Sequence, residues 1–87
     1  MASFSLTIVT PVQIFFQGEV ESLVAPGTAG SFGVLMNHAP LIATLDAGVF
    51  KMKTSEGEKS YKIGPGFFDV LQNQATLLTT AIEPISS

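Results

Sequence analysis

One imidazole, seven carboxylates and four lysines make up the charged chemistry of this 87-residue chain, which has neither cysteine nor arginine. The imidazole is His38, and the acids are Glu19, Glu21, Asp46, Glu56, Glu58, Asp69 and Glu83. Catalysis needs paired groups whose proton affinities shift one another. Here the acids fall mostly at turn positions or on outward strand positions, and no spacing gathers the imidazoles and carboxylates that a metal would require. Neither a catalytic centre, nor a metal site, nor a cofactor is expected, and His38 acting alone as a base is the weakest reading of the chain.

The stretch from Gly18 to Pro40, GEVESLVAPGTAGSFGVLMNHAP, is the most shaped part of the sequence. Gly27, Gly30 and Gly33 recur every three residues and each permits positive φ or a close backbone approach, so the segment can fold tightly on itself or on a partner. It is not a phosphate cradle. The P-loop pattern demands a lysine directly after its last glycine, whereas Val34 follows Gly33 and the next lysine is Lys51; the spacing of three also differs from the dinucleotide pattern. The plain alternative is a chain that must turn sharply twice. His38 likewise has two readings, a partner contact or a side chain that caps its own loop ahead of Ala39-Pro40.

These residues need a framework, and composition bounds it. Hydrophobic residues are 46% of the chain, mean hydropathy is +0.43, and charged residues are 13%, about half the fraction usual for a soluble domain. Apolar surface is therefore expected to remain outside the core, which favours a subunit with a permanent partner. A net charge of −3 argues against nucleic acid and anionic membrane surfaces, both of which need clustered cations. With no cysteine the fold rests on the hydrophobic effect alone. The start of the chain lacks the basic and apolar pattern of a signal peptide, and no apolar run approaches the ~20 residues that span a bilayer, so a soluble cytoplasmic protein without membrane insertion is expected.

Turn signals recur every seven to ten residues through most of the chain, at Thr10-Pro11, Gln17-Gly18, Pro26-Gly27, Asp46-Ala47-Gly48, Glu56-Gly57, Gly64-Pro65-Gly66 and Asn73-Gln74. This rhythm predicts an all-β sandwich or barrel. Period-two alternation places Phe4, Leu6 and Ile8 inward and Ser5 and Thr7 outward, with Val12, Ile14 and Phe16 as a second inward series. Phe15 then falls on the opposite face, and most other phenylalanines are assigned to the core. Pro40 and the β-branched Ile42 and Thr44 weaken any helix over Ala39 to Leu45. A two-residue turn at Glu56-Gly57 predicts Met52 facing Tyr61 and Phe50 facing Ile63 on the core side, with Lys51 opposite Lys62 on the other. Residues 1–87 read as one domain, with 83–87 as a frayed tail.

The runs Gly18-Glu19-Val20-Glu21-Ser22-Leu23, Ala25-Pro26-Gly27, Phe32-Gly33-Val34-Leu35 and Asn37-His38-Ala39-Pro40-Leu41 closely resemble the epsilon subunit of the rotary F-type ATP synthase. Gly64-Pro65-Gly66-Phe67-Phe68-Asp69-Val70 and Ala75-Thr76-Leu77-Leu78 resemble that family's last strands, and the likeness covers about residues 4 to 82. The resemblance implies a ten-stranded β-sandwich, a flattened barrel of two packed sheets, at the foot of the central stalk. There it would grip the gamma subunit, rest on the polar loops of the c-ring, and transmit torque without catalysing anything, peripheral to the membrane on its cytoplasmic side. It further implies that Thr28, Ala29, Gly30, Ser31 and Phe32 approach the c-ring while Thr10, His38 and Ala43 face gamma. The family's C-terminal helical hairpin, which can inhibit hydrolysis and in some members binds ATP, has no counterpart before Ser87, so neither function is expected of this chain. A free-standing module such as a sugar-binding sandwich is the rival reading, and it lacks the usual aromatic platforms: the chain has no Trp and only Tyr61.

Where the family's glycine loop usually carries acids, this chain has Ala29 and Ser31. The c-ring contact is therefore expected to rest on Ser31 hydrogen bonding and Phe32 packing, and to depend only weakly on salt. Binding to isolated c-rings across an ionic-strength series checks this, and a steep loss of affinity contradicts it.

Overall fold

The computed structural model describes residues 2–85. Ten strands follow one another: β1 (Phe4–Val9), β2 (Ile14–Val20), β3 (Ser22–Gly27), β4 (Gly30–Val34), β5 (Leu41–Leu45), β6 (Gly48–Thr54), β7 (Gly57–Ile63), β8 (Gly66–Leu71), β9 (Gln74–Thr79) and β10 (Ile82–Pro84). They form one curled sheet in the order β10-β7-β6-β3-β5-β8-β9-β1-β2, with β4 on the remaining edge of β3. Every pairing is antiparallel except β1 with β9.

The curl divides the sheet into two layers. One holds β4, β3, β6, β7 and β10, the other β5, β8, β9, β1 and β2, and the junction is the pairing of Gly27 with Leu45. Flanking bonds from Asp46 N–H to the Pro26 carbonyl (2.9 Å) and Thr28 N–H to the Thr44 carbonyl (3.0 Å) extend that junction. Leu23, Ala25, Val34, Phe50, Met52, Tyr61 and Ile63 of the first layer close on Phe4, Leu6, Ile8, Val20, Leu45, Phe68, Val70, Ala75 and Leu77 of the second. Each large side chain so buried contributes about 1.5–3 kcal/mol. Thr79 is the only polar residue buried among the described ones, and its hydroxyl lies 2.9 Å from the Gly64 carbonyl and 3.0 Å from that of Ala81.

β1 alternates as expected, with Phe4, Leu6 and Ile8 buried, but β2 differs. Val12 is 86% exposed and Ile14 is 59% exposed, so the expected inward series keeps only Phe16, which packs partly against the core. A β-bulge is the cause: Ile8 pairs with Phe16 while Val9 pairs with Ile14, leaving Phe15 as the extra residue. Beyond the bulge the parity reverses, and Ile14 joins Val9 on the solvent side. Phe15 is half-buried rather than spare, its ring meeting Tyr61 edge-on at 5.5 Å. Gln17-Gly18 is no turn either. Gly18 continues β2 opposite Leu6, and a Cβ there would lie 3.2 Å from the Phe16 ring, so the glycine makes room for that side chain.

The β6–β7 hairpin slips from its expected register. Thr54 pairs with Gly57 around Ser55 and Glu56, so Phe50 faces Tyr61, Met52 faces Lys59, Lys51 faces Ser60, and Lys62 faces Val49. The opposed lysines are gone, and Lys53 lies opposite Glu58 instead. A primed turn at Glu56-Gly57 would have forced Glu56 into positive φ; only Gly57 takes it, at +121°. The slip changes the strand separation by an even number of residues, so Phe50, Met52, Tyr61 and Ile63 stay on the buried side.

The expected loose tail is held in part. Glu83 and Pro84 pair with Lys62 and Tyr61, and Ile85 N–H donates to the Ser60 carbonyl at 3.0 Å. Ser86 and Ser87 lie outside the described residues.

At Gly66 a Cβ would fall inside the van der Waals shell of the Leu78 carbonyl, a backbone atom with nowhere to retreat. Gly66→Ala is expected to cost about 1–3 kcal/mol of stability, read as a lowered midpoint in urea unfolding.

Candidate functional site

The solvent side of the second layer carries the candidate site. Hydrophobic doublets create it. Ile8-Val9, Leu41-Ile42, Phe67-Phe68 and Leu77-Leu78 lie within strands, where neighbours point to opposite faces, so one of each pair faces out. Register then aligns them: Ile14 with Val9, Val9 with Leu78, Leu78 with Phe67, and Phe67 with Thr44. An apolar row thus crosses β2, β1, β9 and β8, ending at Thr44 on β5. Phe67 is 57% exposed and Ile42, one row further along β5, is 83% exposed. Along the row opens a groove of about 520 Å³, lined by Val9, Leu78, Phe67 and Thr44 of the row together with Thr10, Pro11 and Pro65 among others.

Thr10 borders this groove, half-buried, and its hydroxyl closes the β1–β2 connection by donating to the Gln13 carbonyl at 3.1 Å. The β3–β4 hairpin reaches the same end of the layer. Its tip is Thr28-Ala29, with Gly27 paired to Gly30 at a φ of +126°. Gly27 is needed for close approach, since a Cβ would meet the Gly30 carbonyl at 2.7 Å, whereas Gly33 meets only ordinary contacts. The Thr28 hydroxyl is 2.6 Å from that of Thr44, tying the tip to β5. Ala29, Gly30 and Ser31 are exposed. Phe32, expected to pack on a partner, is half-buried with its ring against Phe68 at 5.4 Å.

His38 lies at the other end of the strands. Asn37 and Asn73 hold it there through a reciprocal clasp, Asn37 N–H to Asn73 Oδ1 at 2.6 Å and Asn73 Nδ2 to Asn37 Oδ1 at 3.1 Å. Both asparagines take left-handed backbone, φ 64° and 63°, which asparagine tolerates better than most residues. The half-buried His38 places Nδ1 2.6 Å from the Ala39 carbonyl, the geometry of a self-capped loop. Thr10 and His38 therefore stand a strand's length apart, so a partner touching both must run along the face. Ala43 sits mid-strand between the exposed Ile42 and Thr44, but it is half-buried opposite the core residue Phe68. The outward contacts of β5 belong to its neighbours.

The expected residues thus form three groups: the tip with Thr10, the clasped His38, and the inward Ala43 and Phe32. Sequence reasoning missed Phe67, Leu78 and Ile14. The doublets were the available signal for the first two; nothing local announced the bulge that exposes the third.

Removing the clasp separates its two contributions. Asn73→Gly, which keeps the backbone, is expected to cost about 1 kcal/mol, and Asn73→Ala about 1–2 kcal/mol more through the left-handed conformation. Urea unfolding measures both, and faster amide exchange at Asn37 should accompany each.

The family described as the ATP synthase delta/epsilon chain β-sandwich domain matches residues 3–85. The ATP synthase epsilon chain of Chlorobaculum tepidum is 46% identical over 81 residues, covering 92% of both chains. That of Leptospira borgpetersenii is 43% identical over 75 residues, covering 86% of this chain and 59% of its own length. A chain in the cryo-EM structure of the Euglena gracilis mitochondrial ATP synthase, solved as OSCP/F1/c-ring, superposes with a TM-score of 0.90 at 23% identity. The alignment spans 97% of this chain and 54% of the Euglena one, and establishes the shared fold.

Proposed function

The chain belongs to the ATP synthase delta/epsilon family of β-sandwich domains, and from that premise we propose that it is a non-catalytic coupling piece of the central stalk. It holds the gamma subunit and contacts the polar loops of the c-ring, so that rotation passes between ring and stalk during proton-driven ATP synthesis. It sits at the cytoplasmic side of the membrane without entering it.

The observation that carries this reading is the apolar row Ile14, Val9, Leu78 and Phe67 on an outward sheet face. Single exposed hydrophobic residues need no explanation, but an aligned row along an apolar groove is surface that a permanent partner covers. A rotor subunit has such a partner. The gamma subunit is assigned to this face, from the groove at Thr10 along the strands toward His38. The c-ring is assigned to the β3–β4 tip, where Ala29, Gly30 and Ser31 protrude and the Thr28–Thr44 contact braces them. Phe32 supports that tip from inside through Phe68. Load suits this construction, since torque received at the tip passes directly into β5 and the inter-layer junction.

The rival reading, a free sugar-binding module, has no observation in its favour. Tyr61 is 8% exposed and its ring is engaged by Phe15.

Phe67→Ser is expected to weaken gamma binding tenfold or more, because an exposed aromatic that a partner covers behaves as an anchor. Stability should move by less than about 0.5 kcal/mol, the usual range for a surface substitution. Calorimetric titration with purified gamma, alongside thermal unfolding, checks both.

A further inference from the structure

We propose that Asp69 determines specificity on the gamma-facing side, and that the segment of gamma covering this face presents a lysine or arginine to its carboxylate. The inference rests on the docking assigned under Proposed function and adds the chemistry of the partner.

Asp69 points outward from the middle of β8. Its cross-strand neighbours are Ile42 and Thr76, and its same-face neighbours along the strand are Phe67 and Leu71. Three of these four are large exposed hydrophobic residues. The acid is therefore a single charge set among the side chains that a partner would cover. Among the described residues its carboxylate accepts no hydrogen bond from another side chain. Glu19, the other strand acid on this layer's outer face, differs, accepting from the Ser3 hydroxyl at 2.9 Å and the Ser5 hydroxyl at 2.8 Å.

Among the described residues no lysine of this layer can serve Asp69. All four lysines, Lys51, Lys53, Lys59 and Lys62, belong to β6 and β7 of the opposite layer. Water solvates the carboxylate while the face is open. Docking onto Phe67, Ile42 and Leu71 strips that water away, and a desolvated carboxylate without a counter-charge opposes binding strongly. An apolar partner surface would thus be rejected and one with a matched cation accepted, which is how a charge placed within an apolar face selects its partner. Register sharpens the choice. The row Asp69, Thr76, Thr7 and Gln17 runs polar directly beside the apolar row Phe67, Leu78, Val9 and Ile14, so the partner must offer a cation and a hydrophobic strip side by side.

The test is the affinity of purified gamma for the wild-type chain, D69N and F67S, each measured at about 0.05 M and about 0.5 M salt, where screening lengths differ severalfold. D69N keeps the shape of the side chain, and an unchanged unfolding midpoint confirms that the exposed position tolerates it. The expected result is tenfold or greater weakening of D69N at low salt with a shallower salt dependence than the wild type, together with weakening of F67S. If F67S weakens binding and D69N matches the wild type, binds more tightly, or weakens with an unchanged salt dependence, the cation pairing is overturned while the docking face stands. If F67S binds as the wild type does, gamma does not cover this face, and both the docking and the pairing fall whatever D69N does.

Discussion

Everything in this molecule depends on two apolar sheet faces closing on one another without help. The chain has no thiol to cross-link them, so the strands must keep their inward positions apolar and in phase from Phe4 to Ile63 and on to Leu77. That demand explains why the register slip in the β6–β7 hairpin leaves the buried set intact. An even shift preserves which side chains face the core, whereas an odd one would have turned Phe50 and Tyr61 into water.

The same demand produces the outer surface. A strand presents alternate residues to two faces, so a hydrophobic doublet that satisfies the core with one member must expose the other. Phe68 and Leu77 are buried; Phe67 and Leu78 are their unavoidable counterparts on the outside. The bulge at Phe15 adds Ile14 to them by reversing parity at the start of β2. Exposure of this kind is a hazard for a free monomer and an asset for a subunit that remains docked, as in the function proposed above.

Polar contacts occupy the ends of the strands. The Thr28–Thr44 contact braces the hairpin tip at one end, and the Asn37–Asn73 clasp secures the His38 loop at the other. Between them the second layer's outer face carries the apolar row directly beside the polar row that begins at Asp69, while the lysines gather on the far layer. The two outer faces are thus chemically unlike, in charge as well as in hydrophobicity.

Much was determined by the sequence alone. Period-two alternation and the recurrence of turn residues specify an all-β sandwich, the low charge announces surface left for a partner, and the glycine loop with Asn37-His38-Ala39-Pro40 marks the family. These signals are local, each written in a few neighbouring residues. Tertiary structure decided what depends on residues far apart: that Phe15 is the bulged residue, that Phe32 turns in toward Phe68, that Asn37 finds Asn73, and that outward residues from four strands line up as one row. No single strand encodes its register against the next, since register is settled by turn geometry and by the packing of the whole core, and the outer apolar row is a product of that register.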